Sequence, residues 1–182
     1  MTLFTARHQP SAATTPNPAV AADLKVLSLP MDDSRVRPLL DELAVEYETR
    51  YADLFGSGSA AQELNKYPAH EFTAPDGAVL ILQEQGASVA GGAFRRYGAD
   101  TAEFKRIWTH SGHRRRGLAR LVLAELEAHA AALGYTRVYL TTGPRQPEAR
   151  GLYLNTGYEP HFDVEAAPET LPFLAFSKVL LP

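Results

Sequence analysis

Arg114-Arg115-Arg116-Gly117-Leu118-Ala119-Arg120 stands between a strand-like run, residues 102–109, and an amphipathic helix. A strand that turns through a basic, glycine-containing loop into a helix aims several backbone N–H groups, and the positive end of the helix dipole, at one small volume. That volume suits a diphosphate. Gly117 lets the backbone approach a ligand with no Cβ in between, and Ala119 keeps the first helical turn slim. The residue types alone also fit a solvated basic helix start; the strand before and the helix after favour the cradle.

Working outward, residues 78–84 and 88–97 read as two further strands, separated from each other and from 102–109 by the turns Gln85-Gly86 and Gly98-Ala99-Asp100. The three form an antiparallel meander. Gly91-Gly92 inside the middle strand marks a bulge or a close-packing site. The helix after Gly117 turns Leu118, Val122, Leu126 and Leu133 inward and Arg120 and Glu127 outward, and Gly134 ends it. Residues 136–142 form the next strand and 147–155 a helix with Pro147 in its first turn and Gly157 past its end. Two strand candidates, 158–164 and 171–180, complete the chain.

Upstream, residues 24–29 alternate apolar with polar up to Pro30. Asp32, Asp33 and Ser34 offer N-cap oxygens to a helix with Val36, Leu40, Leu43, Tyr47 and Tyr51 on one face. The loop at 55–59 formally matches Gly-x-Gly-x-x-Ala through Gly56, Gly58 and Ala61, but it follows a helix, so it reads as a linker into a short helix at 60–66. Residues 1–22, rich in Ala, Thr and Pro, read as a flexible leader to a domain spanning 23–182.

A chain of 182 residues with 45% hydrophobic and 21% charged residues fits one soluble domain with a real core. The net charge of −3 gives no global attraction to nucleic acid, so the three arginines are a local cluster. The lack of cysteine removes disulfides, thiolate nucleophiles and cysteine-containing zinc sites. No apolar run approaches the ~20 residues a membrane span needs, and no basic stretch with an apolar h-region opens the chain. The sequence therefore points to the cytoplasm, with neither nucleic acid nor a membrane as partner. A homodimer is compatible with it.

Arg114-x-x-Gly117-x-Ala119 resembles the acyl-coenzyme A signature Gln/Arg-x-x-Gly-x-Gly/Ala of the GNAT superfamily of N-acetyltransferases. A second block, Glu148-Ala149-Arg-Gly-Leu-Tyr153-Leu-Asn-Thr-Gly157-Tyr158, resembles that family's Ala-x-x-x-Tyr-x-x-x-Gly-Phe/Tyr motif at the expected spacing. The resemblance spans residues 23–182 and implies an α/β fold of the α+β kind, a mixed, mostly antiparallel sheet of about seven strands with helices on both faces. It departs from the family pattern at Gln146, where members often carry an Asn that holds the cofactor arm. It further implies that acetyl-coenzyme A, or another acyl-coenzyme A, is the cosubstrate. Arg114, Arg115, Arg116, Gly117, Leu118, Ala119 and Arg120 would hold its diphosphate, while backbone groups of Ile107, Trp108 and Thr109 pair with the pantetheine amides like an added strand.

Amine acylation needs a proton acceptor, because an amine with the pKa of free Lys is protonated at neutral pH. Glu103, eleven residues ahead of Arg114, resembles the catalytic glutamate of the histone-acetylating branch and can act directly or through a water. An ion pair with Lys105 is the competing reading. His110 and His113 are rival bases in a polar loop, and their spacing around Gly112 is no helical metal pair, so no metal is expected. Tyr153 can protonate the departing thiolate, or can serve the core. On the acceptor side, Tyr47, Tyr51, Phe55, Tyr67 and Phe72 with Glu46, Glu48, Asp53 and Glu63 suggest a pocket for a compact, cationic small amine such as an amino acid, a polyamine or an amine-bearing antibiotic. A protein or peptide amine is the alternative acceptor. A non-catalytic acyl-coenzyme A sensor or interaction module is the alternative function.

Overall fold

The chain enters its sheet as β1 (Leu24–Ser28), turns through a short 3-10 helix, and runs on as α1 (Arg37–Phe55). Asp33 is the N-cap that starts this turn: its carboxylate accepts the Arg35 N–H at 2.9 Å. The computed structural model describes residues 24–55 and 63–180, with the side chains of Leu54 and Phe55 set aside. The leader at 1–22, the Gly56–Ser59 linker and the first three residues of the short helix expected at 60–66 lie outside the described residues.

β2 (Ala78–Glu84) and β3 (Ala87–Arg96) are joined by Gln85 and Gly86, whose φ angles of 51° and 84° give the two-residue hairpin its left-handed geometry. β4 (Thr101–Thr109) pairs back antiparallel on β3. α2 (Leu118–Ala132) then crosses the sheet, and Gly134 at φ 91° ends it, with the Tyr135 N–H reaching back to the Ala130 carbonyl at 3.1 Å. β5 (Arg137–Thr142), α3 (Pro147–Leu154), β6 (Glu159–Pro160) and β7 (Leu174–Val179) follow. The sheet order is β1-β2-β3-β4-β5-β7-β6, and β4–β5 is the parallel neighbour pair in an otherwise antiparallel sheet.

Two apolar layers cover the sheet. On one face Leu118, Val122 and Leu126 of α2 and Tyr153 of α3 pack on Leu80, Phe94, Phe104, Leu140 and Phe176. On the other, Leu39 and Leu43 of α1 pack on Ile81, Ala93 and Trp108, with Phe72 beside them. The mixed sheet with helices on both faces agrees with the sequence expectation.

The differences are local. Leu133, expected inward, is 40% exposed because it is the C-cap of α2, and Ala130 fills the inner position one turn earlier. The strand expected at 158–164 pairs only over Glu159–Pro160, since beyond it Asp163 draws the Glu165 and Ala166 N–H groups into a turn. The last strand begins at Leu174, after the 3-10 turn Pro168–Thr170.

Gly91-Gly92 is both a bulge and a close approach. Register between β3 and β4 shifts from Gly91 opposite Trp108 to Ala93 opposite Lys105, so Arg106 and Ile107 together face Gly92. A Cβ on Gly92 would stand 2.8 Å from Ile107 Cδ1 and 2.9 Å from Leu126 Cδ1. The bulge bends β4 just before its last three residues.

Candidate active site

β4 and β5 part company at Phe104 and Leu140, where their parallel pairing ends. From Lys105 to Thr109, β4 still pairs with β3 on one side, and its other edge is free of β5. This opens a cleft in the middle of the sheet whose wall carries unpaired backbone groups, the requirement for adding an extended ligand arm as a strand. The Thr109 hydroxyl at the end of this segment is buried without a hydrogen-bond partner. Ile107 packs its side chain against the α2-side core, and the Trp108 indole donates to Glu42 at 2.9 Å, so both leave their backbone to the cleft.

The loop from β4 into α2 frames the upper end of that cleft. Arg115 and Gly117 take left-handed φ angles of 61° and 81°, and no side chain caps α2. The first N–H groups of a fifteen-residue helix are thus offered outward beside exposed Arg114, Arg115 and Arg120. Leu118 is buried and anchors the turn, while Ala119 sits at the surface edge. A Cβ built on Gly117 would meet nothing within 4 Å, so the glycine is required by its φ and not by crowding inside the protein. Arg116 differs from its neighbours: it is locked to Glu84 at 2.6 and 2.9 Å, with His113 Nδ1 2.7 Å away, and acts as a strut beneath the loop. Arg115 and Arg120 stand exposed beside this turn, and Arg114 reaches Glu46 at 3.4 Å.

α1 spans the cleft. Glu42 accepts from Trp108 and from both the N–H and hydroxyl of Ser111, at 2.9, 3.0 and 2.8 Å. Burial opposes its charged form, but these hydrogen bonds outweigh that and hold the carboxyl below its ordinary value. One turn on, Glu46 stands 3.4 Å from both Arg50 and Arg114 and accepts from the Gln146 amide at 3.2 Å. Gln146 Oε1 in turn receives the Thr142 hydroxyl and the Gly143 N–H, at 2.8 and 3.1 Å. Farther along, Arg145 pairs with Asp53 at 2.7 Å, Arg50 pairs with Glu148, and the Tyr51 hydroxyl accepts the Arg145 N–H. Gly143 and the Tyr51 phenol pack closely there, so a Cβ on Gly143 would make the phenol shift. An open groove of roughly 470 Å³ runs between α1 and the β4–α2 loop, with Val45, Glu46 and Arg114 on its walls.

Tyr153 lies on the opposite side, 5% exposed, its ring 5.3 Å from Phe176 and 5.6 Å from Tyr158. Burial, and then the nearby Tyr47 phenol, push its hydroxyl well above the ordinary tyrosine value, so it is a neutral proton carrier at any working pH. Glu103 is 4% exposed on β4 with Lys105 2.9 Å from one carboxylate oxygen and Arg95 2.8 Å from the other. The Arg95 contact lacks hydrogen-bond geometry, which leaves Oε2 an acceptor in want of a donor. His110 accepts the Gly112 N–H at Nδ1 (3.1 Å) and His113 leans on Arg116. Both histidines are thus engaged in the loop. Among the described residues no group of three His, Cys, Asp or Glu side chains could hold a metal ion.

The expected acceptor residues divide. Phe72 is core and Tyr51 braces Gly143. Phe55 falls outside the described side chains. Tyr47 and Tyr67 line a small cavity with Lys105 and Arg106. The carboxylates are mostly committed: Glu46 and Asp53 to arginines, Glu63 loosely to Lys66 at 3.9 Å. Arg106 was not among the candidates read from the sequence. Its signal was the doublet Lys105-Arg106 interrupting an alternating strand opposite Gly91-Gly92.

The model of the acetyltransferase (GNAT) family matches residues 39–158. The chain belongs to that family. It is an acyl-coenzyme A-dependent N-acetyltransferase, and acetyl-coenzyme A is the donor such enzymes use. Solved structures of the family share the fold. A Klebsiella pneumoniae protein assigned to the acyl-CoA N-acyltransferases has a TM-score of 0.67 at 24% identity, covering 87% of this chain and 98% of that one. The PaiA N-acetyltransferase of Thermoplasma acidophilum, solved with coenzyme A, has a TM-score of 0.65 at 13% identity, covering 86% and 98%. An aminoglycoside 6'-acetyltransferase type Ii has a TM-score of 0.59 at 18% identity, covering 87% and 98%. Among curated proteins the sequence finds no match. No helix among the described residues of this acetyltransferase is long and apolar enough to cross a membrane.

Proposed function

We propose that the protein transfers acetyl from acetyl-coenzyme A to the amine of a small molecule by direct attack within a ternary complex. The observation that carries this reading is the parting of β4 and β5 beneath an uncapped helix N-terminus: one open strand edge for the pantetheine arm, one anion site for the diphosphate. The absence of cysteine supports direct attack, since no acyl-cysteine can form.

In this reading the amine nitrogen attacks the thioester carbonyl, a C–N bond forms, and the C–S bond breaks as the tetrahedral intermediate collapses. N–H groups on the open edge of β4 stabilise the oxyanion. The ammonium proton leaves through a water hydrogen-bonded to the under-used Oε2 of Glu103, and the Tyr153 hydroxyl gives its proton to the departing thiolate, to be reprotonated from solvent. α1, latched to the β5–α3 loop through Arg50, Arg145 and Asp53, stands over a small cavity lined by Tyr47, Tyr67, Lys105 and Arg106, which supports a compact acceptor. That an aminoglycoside 6'-acetyltransferase has the same fold is in keeping with a small-molecule acceptor.

Free-thiol release from acetyl-coenzyme A, measured with a library of small amines and a library of peptides carrying free N-termini and lysines, tests the reading. Turnover with small amines is expected. Turnover confined to peptides would overturn the acceptor class, and coenzyme binding without turnover on any amine would favour a sensor.

A further inference from the structure

Every other well-packed arginine on the α1 face of the sheet has a carboxylate: Arg50 has Glu46 and Glu148, Arg95 has Glu71 and Glu103, Arg145 has Asp53. Arg106 makes no ion-pair contact among the described residues, and Glu63 on the wall of the same cavity acts on it only at longer range. It sits at the β4 bulge with φ 59°, a left-handed conformation unfavourable for a non-glycine residue. The bulge turns two successive side chains, Lys105 and Arg106, to the same face. The Arg106 guanidinium lies over the Phe72 ring at 4.4 Å and donates to the Leu64 carbonyl and, at 3.1 Å, to the Met31 sulfur. Burial pulls its proton affinity below the ordinary value for arginine. A guanidinium withdrawn from water costs free energy unless an anion joins it, and a strained, costly cation beside a cleft calls for a ligand.

That cation opens onto a cavity of about 20 Å³, walled also by Tyr47, Tyr67 and Lys105 with Glu63 at its side. The volume admits one small polar group, as the head of a longer molecule. Lys105 reaches Glu103 at 2.9 Å, so the cavity adjoins the carboxylate assigned to proton transfer. With Lys105 held by Glu103 and Glu63 on the cavity wall, Arg106 is the cation open to a carboxylate and Glu63 the anion open to an ammonium, which suits a zwitterion better than a simple polyamine.

We propose that Arg106 binds a carboxylate of the acceptor, which makes the acceptor an amino acid or a close derivative with amine and carboxylate on one small frame. This rests on the acetyltransferase reading of the same cleft.

Matched pairs test it: free amino acids against their carboxamides, with kcat/KM referred to the unprotonated amine so that the lower amine pKa of the amides does not bias the comparison. The acids are expected to win by about ten- to a hundredfold, the size of one lost charge-assisted hydrogen bond. Arg106→Gln should bring the ratio close to one through KM, and Arg106→Lys should restore part of it. Should these variants fail to fold, the wild type carries the test through inhibition: an acid lacking the amine should compete with the acceptor, and its amide should not. Equal use of acids and amides, or no competition by the amine-free acid, would overturn the assignment. Failure of the parent reading looks different: no thiol released with any amine.

Discussion

Tyr153→Phe removes one oxygen and separates chemistry from architecture. The ring contacts with Phe176 and Tyr158 survive in phenylalanine, and among the described residues the Tyr153 hydroxyl makes no hydrogen bond that the change would break. Stability should therefore shift by no more than about 1 kcal/mol, or a few degrees in Tm for a domain of this size. The acetyl-coenzyme A-induced rise in Tm should persist. Turnover should not: loss of leaving-group protonation is expected to lower kcat by about ten- to a thousandfold, equivalent to about 1.4–4 kcal/mol of transition-state stabilisation. The assay is steady-state thiol release with an acceptor whose chemical step is rate-limiting. The pH profile adds a second reading. Because burial and then Tyr47 raise the phenol above its ordinary value of 10.0, the donor form is full below that value and is lost only as pH rises through the still higher folded one. The wild type should thus show no loss of kcat attributable to this group below about pH 10. Wild-type turnover in Tyr153→Phe would refute the assignment and return the residue to the core.

Glu103→Gln should depress turnover most at low pH, where more of the amine is protonated, and a profile overlaying the wild type would leave Glu103 as the ion-pair partner of Lys105 and Arg95. Glu42→Ala strands the buried Trp108 N–H and should cost about 1–3 kcal/mol by denaturant melts near neutral pH. Since the folded pKa of Glu42 lies below its ordinary 4.5, that contribution is complete above 4.5 and fades as pH falls through the folded value, so the gap between variant and wild type should narrow in acid. A gap that is constant down to strongly acidic pH would contradict the role given to its carboxylate.

What was legible in the sequence is what depends on near neighbours. Gln85-Gly86 and Gly134 declare a hairpin and a helix end through backbone conformation alone, and Arg114 to Ala119 announces a strand-to-helix turn because all its parts are contiguous. The residues that decide the acceptor side are set by distant partners. Asp53 meets Arg145 across 92 residues, and Arg106 owes its place to a register shift between two strands, which no single-strand pattern reports. Leu133 was misjudged because a helical period continues on paper past the residue where the helix stops. The strand after Gly157 was overestimated for the converse reason: apolar residues persist there, while Asp163 folds the backbone into a turn.

In the proposed complex acetyl-coenzyme A lies along β4 with its diphosphate on the first turn of α2. Gly117→Asp addresses it directly, because the position is sterically open and aspartate tolerates a φ of 81° better than most residues, so the main consequence is a negative charge where phosphates must sit. Calorimetric titration of acetyl-coenzyme A into the wild type and this variant should give saturable binding in the first and none in the second, with both still folded by circular dichroism. Binding of equal affinity in the two proteins would mean that the diphosphate does not sit on this turn.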